Sequence, residues 1–296
     1  MQRAVFVGQL KQATLEELVQ KINSEAARIK TVQATVDIDS QATVDMDSGS
    51  GGTKKGKVTD YQEVRGYVLL RKPGNLRMTG LVPVVRNKMF DMVSDGERFR
   101  LSVPPKNKFV IGSQEVKTPS KKGFENLRPR QIYEALLVDE IDPKTDVAVL
   151  ENSTVVGHDA HHKEVDEPNY ILTVIHTEKQ GVGRIERKIY ISREDLSVQK
   201  QVLFDRAGNI DTVGVYNNYS REGDSVMFPH LIRIERPKEQ YAMSLGMVKV
   251  QINVPLTDEQ FDLPRPEGSD LQVLDNVQTN EPAKGGAPQP KGSRNK

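Results

Sequence analysis

The chain contains no cysteine and no tryptophan. Without cysteine there are no disulfides, no thiolate metal sites and no sulfur nucleophile. Without tryptophan the usual aromatic anchor at a membrane interface is missing. Long hydrophobic runs are also absent, and none approaches the roughly 18–20 residues of a spanning helix. Excess charge of either sign is missing too: 42 basic residues face 41 acidic ones, a formal net charge of +1. That balance removes any general electrostatic case for binding nucleic acid. The opening MQRAVFVGQL is too short and too weakly apolar for a signal peptide. Either the protein is cytoplasmic, or the chain starts downstream of its export signal.

What is present is β-structure. From Arg65 to Gly112 the chain reads as consecutive short antiparallel strands, closed by Pro73-Gly74-Asn75, Pro83, Asp95-Gly96 and Pro104-Pro105. Strand patterns resume at 146–150, 170–177, 184–192, 197–204, 209–216, 226–235 and 240–254. Several are apolar on both faces, so the sheet either lies under two layers of protein or curls around something greasy. In the strand 240–254, Tyr241, Met243, Leu245 and Met247 share one parity, and Val248, Val250, Ile252 and Val254 the other. Met78, Met89 and Met92 add pliable side chains on the earlier strands. The lipid-facing wall is therefore expected at Met78, Met89, Tyr241, Met243, Leu245 and Met247.

Two helices accompany the strands. Residues 14–30 carry Leu15, Leu18, Val19, Ile22, Ala26 and Ile29 on one face, with Thr14 and Glu17 spaced for a capping box. Residues 128–137 form a second, shorter helix with Ile132, Ala135 and Leu136 on its apolar side. Ahead of the strands stands an octad repeat, QATVDIDS at 33–40 and QATVDMDS at 41–48. An even insertion preserves strand parity, so the repeat reads as a lengthened hairpin arm. A calcium site built from its aspartates lacks the Gly-bearing loop and terminal Glu that an EF-hand needs.

Enzymatic signatures are missing: no nucleophile elbow, zincin motif, phosphate loop or dinucleotide fingerprint occurs. The reading is of a non-enzyme with no cofactor. His158, His161 and His162 lie in the polar segment GHDAHHKEVDEP, read as a solvated loop with no assigned metal. Asp95 belongs to an Asp-Gly hairpin signal.

Four segments, in order along residues 14–275, resemble the LolA/LolB-like family of lipoprotein carriers. They are LEELVQKINSEAARIKTVQATVDI, GYVLLRKPGNLRM, VSDGERFRLSVPPKNKFV and PLTDEQFDLPRPEGSDLQVLD. The resemblance implies an unclosed antiparallel half-barrel with helices covering its concave face, and acyl chains of lipoproteins or other lipids in the cavity. The helix bearing Leu15, Leu18, Val19 and Ile22 would be the lid, touched by Lys72 and Arg71. Lys72 stands where the soluble carriers have an arginine. The membrane-anchored receptors present an apolar loop, which Leu81 and Val82 would match here; the receptors' lipid-bearing cysteine is missing from this chain. The octad repeat, the segment 157–168 and the basic tail depart from both. The expected organisation is a remnant at 1–13, one domain at 14–275 and a disordered tail at 276–296, with roughly ten to twelve strands. The implied setting is the periplasm or outer membrane, with the protein a monomer that makes peripheral membrane contact. A stress sensor of the same fold docking on a regulatory partner, and a structural domain with no ligand, are the alternatives.

Overall fold

In the computed structural model the described residues are 4–5, 9–45, 56–60, 63–116, 126, 128–158, 164–178, 181–223 and 226–275. The octad's end, His161 and His162, and the tail lie outside them. Among the described residues, two α-helices and sixteen strands form a mainly β fold. In chain order these are β1 (Ala4–Val5), α1 (Leu15–Arg28), β2 (Thr31–Asp45), β3 (Gly56–Asp60), β4 (Val64–Arg71), β5 (Asn75–Leu81), β6 (Lys88–Ser94), β7 (Arg98–Val103) and β8 (Lys108–Ser113). Then come α2 (Pro129–Leu136), β9 (Asp146–His158), β10 (Glu164–Thr177), β11 (Gly183–Ser192), β12 (Val198–Phe204), β13 (Ile210–Glu222), β14 (Val226–Arg236), β15 (Tyr241–Ile252) and β16 (Asp270–Val273).

All strands belong to one sheet whose ends do not meet, an unclosed half-barrel. Its order is β1-β10-β11-β12-β13-β14-β15-β2-β4-β5-β6-β7-β8-β16, with β3 on β2 and β9 on β10. Neighbouring strands run antiparallel except at two margins, where β1 pairs with β10 and β16 with β8 in parallel. The strand count exceeds the expected ten to twelve because the long arms and margins pair as well. The described parts of the polar segment 157–168 belong to one such arm: Glu164 to Asn169 pair with His158 to Ser153, continuing the hairpin of β9 and β10. Hairpin pairing satisfies those backbone groups, so polar side chains do not end the strands.

The apolar stripe of α1 lies on the sheet. Thr14 caps it, its hydroxyl accepting from the Glu17 amide at 3.2 Å while the Glu17 carboxylate accepts from the Thr14 amide at 2.8 Å. Leu18 and Ile22 are fully buried, and Leu15 and Val19 pack at the edge of the same core. Beneath them lie Val32, Val36 and Ile38 of β2, Val68 and Leu70 of β4, Met78 of β5, and Met243 and Leu245 of β15. Tyr133, Ala135 and Leu136 of α2 join from the same side.

The opposite, outer face is crossed by the segment following β15. Arg71 donates to the Leu256 carbonyl at 3.1 Å and pairs with Asp258 at 2.6 Å, its guanidinium lying 4.8 Å from the Phe261 ring centre. Arg77 donates to the Gln260 carbonyl at 2.8 Å, and Arg100 pairs with Asp262 at 3.0 Å. This strap buries a small outer cluster of Val93, Phe109 and Leu263. The two-sided apolar character of β6 to β8 therefore has a plain cause: these strands lie beneath two layers.

In β15 the two-sided pattern has another cause. The ladder with β2 slips between Met247 and Lys249, so that Met247 pairs with Val36 and Val250 with Ala34. A bulge shifts side-chain parity by one residue. Both Met247 and Val250 consequently face the core, while Val248 is half exposed. The expectation of an apolar second face on this strand is corrected by that slip.

The candidate lipid site beneath the helical lid

The wall expected to hold a ligand is brought together. Met78, Met243, Leu245 and Met247 all sit in the main buried cluster, on strands that are near neighbours through β2. Tyr241 and Met89 are half-buried at its margin, Met89 at the bulge that separates the pairs Gly80–Phe90 and Leu81–Lys88. These side chains are packed against α1 rather than around open space. A void of about 60 Å³ remains at the helix–sheet junction, between Ile22 and Ala26 of α1, Leu136 and Leu137 at the end of α2, and Tyr219 and Phe228. That is room for a few water molecules. This void is too small for an acyl chain.

Helix α1 is held by polar contacts on its backbone as well as by apolar packing. Lys72 donates to the Ala26 carbonyl of α1 at 2.9 Å and lies 3.9 Å from Asp139. Asn253 donates to the Arg28 carbonyl at 2.7 Å and accepts from the Lys30 amide at 2.8 Å. Asn23 bonds both backbone groups of Ile141, tying α1 to the chain beyond α2. Of the two basic residues expected at the lid, Lys72 touches it, whereas Arg71 turns to the outer strap. Adjacent strand residues point to opposite faces, so the two cannot serve one helix.

The C-terminal end of α2 and the chain just beyond it meet three side-chain donors from the sheet. Gln201 donates to the carbonyls of Glu134 at 2.7 Å and Leu137 at 3.4 Å. The Tyr216 hydroxyl donates to the Ala135 carbonyl at 2.9 Å, and Arg187 donates to the Glu140 carbonyl at 2.7 Å. A helix leaves its last carbonyls without partners, and Gln201 and Tyr216 supply them. Burial pushes the Tyr216 phenol well above its ordinary value, which keeps it a donor. Gln201, Tyr216, Arg187, Asn253 and Asn23 escaped the sequence reading. The one available signal was Arg187, which shares parity with Ile189 and Ile191 in IERKIYIS.

At the proposed membrane tip the exposed apolar residues are shifted along the loop. Leu81 and Val82 are half-buried, whereas Val84 is 97% exposed and Val85 62%. Val84 has φ 68° and Arg86 φ 56°. A β-branched residue is strained there. The loop is closed by the Val82 amide donating to Asn87 O at 2.7 Å and the Arg86 amide to Val82 O at 2.9 Å.

A roomier groove of about 470 Å³ lies on the outer face, lined by Gln33, Thr35, Tyr67, Leu69, Leu81 and Lys249 among others. Of the wall and tip residues named from sequence, only Leu81 reaches it. Next to it Asp91, almost wholly buried, accepts from Arg77, Lys88 and Thr79. Two further polar groups went unnoticed in the sequence. Asp146, His176 and Glu186 have ligand atoms within 4.8 Å of one another. His230 Nε2 lies 2.8 Å from Ser220 Oγ and 2.7 Å from Glu222 Oε1. Serine and carboxylate thus share one ring nitrogen, which is not the relay of a hydrolase, where they occupy opposite nitrogens. Asp37, one of the octad aspartates, is paired with Arg65 at 2.8 Å, and that hydrogen bond holds its carboxyl below the usual range. Asp95 Oδ1 accepts from the amides of Glu97 and Arg98, the hairpin role expected of it.

No family model matches the chain, and no curated protein matches it by sequence. Solved structures of low sequence identity are similar to it over most of their length. A LolA superfamily protein from Nitrosomonas europaea is 15% identical, covering 83% of this chain and 97% of that one, with a TM-score of 0.47. A putative outer membrane lipoprotein-sorting protein domain from Vibrio parahaemolyticus is 12% identical, over 83% and 95%, with a TM-score of 0.47. A DUF1329 family protein from Desulfovibrio piger is 13% identical, over 83% and 94%, with a TM-score of 0.49. Among the described residues no helix is long and apolar enough to cross a membrane.

Proposed function

We propose that the chain is a non-enzymatic carrier that takes acyl chains of lipoproteins or other lipids between the half-barrel wall and its helical lid, in the periplasm or at the outer membrane. The observation that carries this reading is the construction of the lid. Two short helices cover one continuous apolar wall and are latched at their backbone carbonyls by sheet side chains. Lifting α1 uncovers Leu18 and Ile22, which contribute about 1.5–3 kcal/mol each when buried. At about 0.8 kcal/mol per methylene, roughly six buried CH₂ groups offset both. Burial of about six methylenes therefore balances the opening of α1, and each further methylene tips the exchange toward loading.

The tip at Val84 and Val85 supports transfer at a bilayer. It holds two exposed apolar side chains beside the exposed basic residues Arg86 and Lys88, the combination that seats a segment at an anionic interface. Protein purified from envelope fractions should carry extractable lipid, visible by native mass spectrometry and displaced by a fluorescent fatty acid. Lipid-free protein with no fatty-acid affinity would leave a packed structural domain, the reading that the fully buried Leu18 and Leu245 favour.

A further inference from the structure

Arg187 is out of place on the wall it occupies. It is 5% exposed, in line with Ile189 and Ile191, both fully buried. No carboxylate lies within ion-pairing distance of it among the described residues, and its Nε has no hydrogen-bond partner there. A buried guanidinium with no counter-charge is costly, and an uncharged donor would serve the Glu140 carbonyl as well. Gln201, wholly buried on the adjoining strand β12, has an Oε1 that is likewise unpartnered. Tyr216 stands on β13, next in the sheet. Gly214 makes room for its hydroxyl, since a Cβ there would lie 2.7 Å from that oxygen.

In the closed fold Gln201 and Tyr216 meet the carbonyl end of α2, which carries partial negative charge, and Arg187 meets the Glu140 carbonyl in the chain just beyond it. We propose that Arg187, Gln201 and Tyr216 are a head-group site that receives an acyl oxygen of the ligand, a carboxylate or an ester carbonyl, when α2 and the chain through Glu140 that follows it withdraw their carbonyls. The lid is then a stand-in for the ligand at both ends of the molecule it displaces: apolar side chains occupy the place of the methylenes, and backbone carbonyls the place of the acyl head. This site rests on the carrier reading above, and it adds that the sheet recognises the head as well as the tail. Arg187 provides the charge, which ranks a carboxylate above an ester. Gln201 and Tyr216 provide neutral donors, which rank an ester above an alcohol.

The test uses the full chain and three probes of equal chain length: a fatty acid, its methyl ester and the corresponding alcohol, titrated by calorimetry. The fatty acid should bind about tenfold or more tightly than the alcohol, the scale of one charged hydrogen bond, with the ester between them. Arg187→Met, which keeps the volume, should bind the alcohol as the wild type does and lose the preference for the acid. Arg187→Lys should retain part of that preference. Tyr216→Phe and Gln201→Leu should narrow the gap between ester and alcohol. Ratios cancel any loosening of α2, which raises all three affinities together. Equal binding of the three probes by the wild type, or an undiminished acid preference in Arg187→Met, overturns the head-group site and leaves the carrier intact. Failure of the wild type to bind any probe removes the carrier reading, and this site with it.

Discussion

Loosening α1 without touching the wall should tighten lipid binding, not weaken it. The perturbation is the pair Lys72→Met and Asn253→Gly. Glycine is chosen at 253 because that residue has φ 60°, a left-handed conformation that alanine would strain. The first change removes a charged donor to the Ala26 carbonyl, on a side chain only 22% exposed. The second removes an amide that serves both the Arg28 carbonyl and the Lys30 amide. At about 0.5–1.5 kcal/mol net per hydrogen bond, the closed lid loses about 2 kcal/mol, while the open lid, with these groups in water, loses nothing. That is roughly a 30-fold shift toward the open state. If only the open state binds, the apparent affinity for a fluorescent fatty acid rises by up to the same factor. Hydrogen exchange along α1 should speed up in parallel, and the melting temperature should fall modestly. Faster exchange in α1 with unchanged or weaker fatty-acid affinity would refute the reasoning, because α1 would then be core and not lid.

Other consequences are direct. Leu245→Ala removes a fully buried side chain at the centre of the wall and should cost about 2–5 kcal/mol by chemical denaturation. Asp91→Asn should cost about 3 kcal/mol at neutral pH, because Arg77 and Lys88 lose their shared carboxylate. Burial alone would raise the Asp91 carboxyl, but the hydrogen bonds from Arg77 and Lys88 outweigh it and hold it below the ordinary range. Its contribution is therefore fully present above the unfolded value of about 3.9 and fades as pH falls through the lower folded value, so wild type and variant should converge in acid. Val84→Asp and Val85→Asp should leave stability within about 0.5 kcal/mol and reduce delivery of bound fatty acid to anionic vesicles. A large loss of stability there would mean that the tip packs inward.

The parts legible in the sequence are those set by local rules. The Thr14–Glu17 box, the stripe of α1 and the Asp95-Gly96 turn depend on neighbours a few residues away, and all are where the spacing puts them. The wall residues of β2, β4 and β5 follow from simple alternation. Alternation misled at Val248, because a bulge with no sequence signature of its own moves Val250 onto the core face. It misled again on β6 to β8, where the second apolar face answers to a strap arriving from about 160 residues later, as in the Arg100–Asp262 contact. The polar arms of β9 and β10 read as loop because their backbone pairing, invisible in side-chain character, is what makes them strands. The latches were illegible for the same reason: Gln201 and Tyr216 act on carbonyls, and any residue has a carbonyl. The exposed apolar pair, Val84 and Val85, stands three residues beyond Leu81 and Val82, because Pro83 marks the turn while exposure depends on how Leu81 and Val82 fold back on the sheet.

The most direct test of the carrier is to map where a lipid sits. A fatty acid with a photoactivatable group at its methyl end, cross-linked to the full chain and located by peptide mass spectrometry, should label Met78, Met243, Leu245 or Met247 and the inner faces of α1 and α2. Excess unlabelled fatty acid should abolish that labelling. Labelling confined to the outer groove around Tyr67 and Leu69, or labelling that unlabelled fatty acid does not compete away, would contradict a lipid site beneath the lid.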